Sequence, residues 1–178
     1  TGSNRTSVSR ELAQELGLSQ RSSAELHSST GESRVAMAWL PELRVNRRAV
    51  RNISAPMLEA ANIGADGILG IDSLRAQRVV FDFGSGRLSI LSGSTAVPIE
   101  EGAIVVRAKR REGRLIVTDA EVDGEKVNVV LDTGSALTVG NAALRSRLER
   151  RGALDSGGSI DVVSVTGHAL RGEVVHIK

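Results

Sequence analysis

Displaced by 132 residues, the chain lies on itself: Thr1-Gly2-Ser3 falls on Thr133-Gly134-Ser135, Thr6 on Thr138, Leu12 on Leu144 and Leu16 on Leu148. These are six identities in the first sixteen positions, where random pairing gives roughly one. Ser9 and Asn141, each a candidate N-cap of a short helix, coincide as well. Farther along, with a small drift, Ser29-Thr30-Gly31 resembles Val165-Thr166-Gly167. The chain therefore reads as two copies of one unit. Residues 1–91 are a first copy lacking its N-terminal strands, 92–102 a linker, and 103–178 a second copy lacking its C-terminal part.

Within each copy the pattern is that of strands. Short runs of Val, Ile and Leu alternate with turn residues, which predicts an all-β fold. Arg78–Phe83 and Arg87–Leu91 flank Gly84-Ser85-Gly86 and read as a hairpin. Ala103–Lys109 and Arg114–Val122 read as another. Asp123-Gly124 then turns the chain into Glu125–Leu131, and this dipeptide suits a type I′ turn because both central residues need positive φ. Helices are few. One is capped by Ser9, carries Leu12 and Leu16 and stops at Gly17. A second is capped by Asn141, carries Leu144 and Leu148 and stops before Gly152. A third is expected over Asp72–Gln77. Ser92–Pro98 is polar and aperiodic, as a linker is.

Composition removes several functions. The net charge is only +2, the basic residues are scattered, and aromatics are 2% with no Tyr. A nucleic-acid binder gathers charge on one face and adds stacking rings, so nucleic acid is not an expected partner. The chain has no Cys, which removes disulfides and thiolate zinc sites. No apolar run reaches the ~18–20 residues of a membrane-spanning helix. The first residue is Thr, so the chain reads as a fragment or processed form. Composition leaves the compartment open, with a periplasmic or secreted protein as the first guess.

The chemistry centres on Val129-Val-Leu-Asp-Thr-Gly-Ser135. An apolar strand, expected to be buried, delivers the carboxylate of Asp132 into a tight turn. Gly134 lets the backbone come close to it, and Thr133 and Ser135 offer hydroxyls that fix carboxylate and turn. A single carboxylate is a poor catalyst near neutral pH. Two at about 3 Å share one proton, because both cannot ionise easily. The charged member then activates a water, and the protonated one polarises a carbonyl and later protonates the leaving amine. Such a pair titrates as a unit.

Leu131-Asp-Thr-Gly-Ser135 together with Gly67-Ile-Leu-Gly-Ile-Asp72 resembles the retropepsin-like aspartic proteases, and the two-copy arrangement is similar to tandem bacterial members of that family. The resemblance implies an all-β fold of two pseudo-symmetric lobes, each a closed β-sheet with a short helix. It implies that Asp132 is catalytic, supported by Thr133, Gly134 and Ser135, and that Thr1, Gly2 and Ser3 form the matching loop of the first copy. Ile68-Leu69-Gly70 would be the turn through which the catalytic loop passes. Thr30-Gly31 and Thr166-Gly167, with His168, would lie on flaps closing over substrate. The partner carboxylate is expected immediately before Thr1, outside this chain. The copies would pair as an intramolecular pseudo-dimer, or the chain as a homodimer. The implied reaction is endopeptidic hydrolysis of a peptide or protein substrate, with no metal, no cofactor and no covalent intermediate.

Rival readings attach to the same residues. Asp132 can be a structural turn residue. Gly64-x-x-Gly67-x-x-Gly70 invites comparison with a phosphate loop, but no Lys-Ser/Thr follows and no βαβ unit is evident. Asp66, Asp72, Asp82 and Asp119 are other candidates for the partner carboxylate, and none is followed by Thr-Gly. His27, His168 and His176 lack metal-ligand spacing. Trp39 is expected in core or interlobe packing. The functional alternative is a non-catalytic, retropepsin-like scaffold that binds peptides or regulates.

Overall fold

The computed structural model describes residues 2–45, 48–74, 77–82, 84–94, 108–111 and 114–177. The expected strand Ala103–Lys109 lies mostly outside the described residues, as do Thr1, Phe83 and most of the expected linker. The first described half runs β1 (Ser7–Ser9), α1 (Arg10–Glu15), β2 (Gln20–Ser28), β3 (Gly31–Val45), β4 (Arg48–Leu58), α2 (Ala60–Ile63), β5 (Gly67–Ile68), β6 (Gln77–Asp82) and β7 (Arg87–Ser92). The second runs β8 (Ala108–Arg111), β9 (Arg114–Val122), β10 (Glu125–Val130), α3 (Ala142–Arg150), β11 (Leu154–Val163) and β12 (Ala169–Ile177).

Strands dominate, as the alternating pattern requires. Among the described residues the expected closure of the sheets is not found. The described strands form a five-stranded sheet ordered β2-β3-β4-β1-β5, a three-stranded sheet β10-β9-β8, and the hairpins β11-β12 and β6-β7. The edges β2 and β5 do not pair with each other, so the large sheet stays open.

The centre of that sheet is covered on both faces. Strand side chains alternate between faces, and Ile53, Ala55 and Met57 of β4 join Ala38 of β3, Val8 of β1 and Ala13 of α1 on one side. Leu58 points the other way and packs with Val35 and Met37 of β3, against Ile63 of α2, Ile68 of β5 and Val165. Ala55 is 0% exposed and Met57 8%. Burying a side chain such as Met57 contributes about 1.5–3 kcal/mol.

The turns follow their local chemistry. Asp123 and Gly124 have φ of 46° and 74°, the paired positive values a type I′ turn needs, and Glu125 faces Val122 across them. The hairpin of β6 and β7 pairs Asp82 with Arg87, and Ser85 donates N–H to Asp82 Oδ1. The expected helix over Asp72–Gln77 is absent from the described residues. Ser73 N and Leu74 N bond to Gly70 O and Ile71 O, which makes successive turns, and Gln77 already belongs to β6.

Both capped helices form, with matching ends. Ser9 Oγ accepts from Leu12 N at 3.0 Å, and Asn141 Oδ1 from Leu144 N at 2.9 Å. Past the helices, Gly17 and Gly152 turn left-handed at φ 64° and 67°, the conformation glycine adopts without penalty. Helix α3 has nine residues and α1 six. Those three additional residues widen the spacing from 132 at Ser9 and Asn141 to 135 at Gly17 and Gly152, which accounts for most of the drift to 136 at Thr30 and Thr166.

Candidate active site

Asp132 follows the end of β10, and its carboxylate is met by two backbone amides, one from its own turn and one from the start of the described chain. Oδ1 accepts from Gly134 N at 2.9 Å and from Gly2 N at 3.1 Å. Gly134 is two residues downstream. Gly2 is its repeat-equivalent, 130 residues away from Asp132 in sequence. A side chain at Gly2 has no room, since a Cβ there would stand 2.3 Å from Asp132 Cγ and Oδ2. Gly134 is less tightly placed, its nearest atom being Asp132 Oδ1 at 3.4 Å.

The turns that follow are the same on both sides. Ser3 Oγ donates to Arg5 O, and Ser135 Oγ to Leu137 O, each at 2.7 Å. The Ser135 hydroxyl, expected to fix both carboxylate and turn, donates within the turn. The apolar strand leading to Asp132 is not buried as expected. Val130 is 43% and Leu131 51% exposed, and Asp132 is exposed too. Two N–H donors on one oxygen orient the carboxylate. Both donors are backbone amides and both meet the same oxygen, Oδ1.

The loop of the first half rests on Ile68-Leu69-Gly70. Gly70 passes so close that a Cβ would lie 2.2 Å from Arg5 C and 2.4 Å from Thr6 N. Ile71 N bonds to Ser3 O at 3.0 Å. Gly70 N donates to Thr6 Oγ1 at 3.1 Å, and Thr6 donates both its N–H and its hydroxyl to Asp72 Oδ1, at 2.8 and 2.7 Å. Ser73 N completes the set on that oxygen at 2.8 Å. Asp72 is a loop anchor that motif reasoning passed over. The signal was present in the coincidence of Thr6 with Thr138. Thr6 is 3% exposed, whereas Thr138 is exposed.

The two hairpin tips come together. Ser28 Oγ and Thr30 Oγ1 are 3.2 Å apart, and Ser164 Oγ and Thr166 Oγ1 2.9 Å, so each tip is closed by the same hydroxyl pair. Thr30 Oγ1 donates to Ser164 Oγ at 2.8 Å, and Ser33 Oγ lies 3.2 Å from His168 Nδ1. Gly31 and Gly167 have φ of 128° and 80°, values that favour glycine in both turns.

The other candidate carboxylates differ in their surroundings. Asp82 is engaged by Ser85, and the carbonyl of Asp66 accepts from Ser9 N at 2.8 Å. The side chain of Asp119 lies outside the described residues. The three glycines of the phosphate-loop comparison have separate duties. Gly64 ends α2 with φ 67°, Gly67 lies against Ser7 O, and Gly70 against Arg5 and Thr6. His27 Nδ1 lies 3.0 Å from Glu32 Oε1. Trp39 is half-buried in β3 with the Arg21 guanidinium 5.8 Å from its ring centre. No group of His, Asp or Glu able to hold a metal ion occurs among the described residues, and none of their helices is long and apolar enough to cross a membrane.

No curated protein and no solved structure matches the chain. Residues 1–76 match the family model described as gag-polyprotein putative aspartyl protease. That stretch carries the Thr1–Ser3 loop, its Thr6–Asp72 anchor and Ile68-Leu69-Gly70, and stops short of Asp132, so the first part of the chain is similar to an aspartyl protease unit.

Proposed function

We propose that this chain belongs to an aspartic endopeptidase made of two tandem retropepsin-like units, with Asp132 as the catalytic carboxylate of the second. The observation that carries this reading is the convergence of Gly2 N and Gly134 N on Asp132 Oδ1. Gly134 follows its aspartate by two residues. The same spacing in the first copy sets the second carboxylate at the position preceding Thr1 of the full-length protein. The shared hydroxyl pairs of the two tips and the matching bonds at Ser3 and Ser135 support the tandem arrangement, and the match of residues 1–76 supports the aspartyl protease reading of the first unit.

In this mechanism one carboxylate is ionised and its neighbour protonated. The ionised one takes a proton from water as the water oxygen attacks the scissile carbonyl carbon. The protonated one gives its proton to the carbonyl oxygen. Collapse of the tetrahedral diol breaks the C–N bond, and the amine leaves with a proton from the dyad. The donors on Asp132 Oδ1 hold the carboxylate in one orientation through these steps. An extended peptide under the tips pairs its backbone with the hairpin strands, a form of strand addition.

The test is cleavage of a mixed peptide library by the full-length protein, from acid to neutral pH, with products read by mass spectrometry. New termini at defined peptide bonds support an endopeptidase. A peptide-binding scaffold is the second reading, favoured by the single Asp-Thr-Gly in these 178 residues. It predicts saturable peptide binding with no new termini at any pH.

A further inference from the structure

Four arginines and no acidic residue fall within residues 44–51. They lie at the end of the β3–β4 hairpin, where Val45 pairs with Arg48. Glu42 answers part of this charge: its Oε1 accepts from Arg44 Nε and its Oε2 from Arg51 Nε. One carboxylate between two guanidiniums leaves a net positive charge, and the two arginine side chains are 77% and 70% exposed.

A cleft of about 290 Å³ lies beside this hairpin end, lined by Arg51 and by Arg5 of the loop that follows Gly2. Residues 50–54 of β4 all line it. A regular strand sends neighbours to opposite faces, and the left-handed backbone of Asn52, φ 59°, breaks that alternation. Asp72 lines the cleft too, but its Oδ1 already accepts from Thr6 N, Thr6 Oγ1 and Ser73 N. Two guanidiniums beside one hydrogen-bonded carboxylate suit an anion, and a guanidinium takes a carboxylate through paired N–H donors. The described lining holds no aromatic ring on which a nucleic-acid base could stack.

Its position relates the cleft to Asp132. Arg5 follows Gly2 by three residues, a reach of at most about 11 Å, and Gly2 N binds Asp132 Oδ1. An extended peptide covers that distance in about three residues. We infer that the cleft of Arg5 and Arg51 binds acidic side chains of a peptide, so that the substrates carry Asp or Glu a few residues from the cut bond. The substrate class rests on the protease reading above, whereas the affinity for acidic peptide does not.

Binding is measured first, on the full-length protein carrying Asp132→Asn so that no peptide is cut. The probes are a fluorescein-labelled peptide rich in glutamate and its glutamine twin, followed by fluorescence anisotropy. At low salt the glutamate peptide is expected to bind at least about tenfold more tightly, by a margin that shrinks at high salt. Arg5→Gln, which leaves the bonds of Glu42 intact, should cut that preference about threefold or more, and Arg5→Gln/Arg51→Gln should abolish it. Arg87→Gln, at an exposed arginine of the β6–β7 hairpin, should leave it unchanged. A preference kept by the double variant, or lost equally in Arg87→Gln, overturns the site. A single-stranded oligonucleotide that displaces the glutamate peptide more readily than unlabelled glutamate peptide does overturns the choice of ligand. For the substrate class, a peptide that the catalytically intact protein cleaves is compared as glutamate and glutamine twins. The KM of the glutamate twin is expected to be about tenfold lower, and the double variant to bring the two together. Equal KM in the parent overturns the substrate class. If the parent cleaves nothing, the protease reading fails, and binding still decides the cleft.

Discussion

The backbone N–H of Gly2 lies 3.1 Å from Oδ1 of Asp132, a carboxylate 130 residues away in sequence. The contact brings Gly2, the repeat-equivalent of Gly134, onto the carboxylate that Gly134 itself binds. It also leaves no space for a side chain at Gly2.

Gly2→Ala is therefore expected to push the Asp132 carboxylate aside. Cleavage by the full-length protein should fall about a hundredfold, the scale of a misplacement near 1 Å, with the thermal midpoint near that of the parent. Gly134→Ala, whose Cβ would stand 3.4 Å from Oδ1, should cost less. Rate assays and thermal melts of the two variants check this ordering.

Thr6 ties the Gly70 turn to the loop carrying Ser3. Thr6→Val keeps the shape but leaves Gly70 N without its acceptor and removes a donor from Asp72. An expected loss of about 1–3 kcal/mol follows, with Thr6→Ser close to the parent. Gly70→Ala meets backbone atoms of Arg5 and Thr6 and should cost about 3 kcal/mol or more. Denaturant unfolding separates these cases.

The Ser85 hydroxyl, followed by its N–H, holds the Asp82 carboxyl below its ordinary pKa. A carboxylate depressed in the folded state adds stability above its unfolded pKa and loses it as pH falls through the folded one. The stability gap between the parent and Asp82→Asn should thus be widest near neutral pH and shrink on acidification through that lowered pKa. Unfolding curves across acid pH measure it. A gap that widened with acid would contradict the assignment.

Glu125 accepts from both Arg147 and Arg151, at 3.2 and 3.1 Å, and so joins β10 to α3. The arginines are 38% and 44% exposed, where one ion pair contributes under about 1 kcal/mol. Glu125→Gln is expected to cost about 1 kcal/mol in all, less at high salt. Salt-dependent melts provide the measurement.

What the sequence disclosed was local. Asp123-Gly124 dictates a positive-φ pair by its own chemistry, and Ser9 and Asn141 cap helices through bonds three residues away. The helix expected over Asp72–Gln77 shows the limit. Asp72 instead lies in a turn and its carboxylate serves Thr6, 66 residues distant. Helix α2 has four residues and no side-chain cap, so it left no periodic trace. The seat of Val165 among Val35, Met37 and Leu58 depends on tertiary packing, and no spacing rule encodes it. The repeat pointed to the two loops, but it could not tell that Gly2 and Gly134 share one oxygen.

The most direct test of the central claim is the peptide-cleavage rate of the full-length protein beside its Asp132→Asn variant, on one cleaved peptide at the optimal pH. The account predicts that the variant loses activity by about a thousandfold or more while its thermal midpoint and peptide binding persist. A variant that cleaves at the parental rate would show that Asp132 is not part of the catalytic pair.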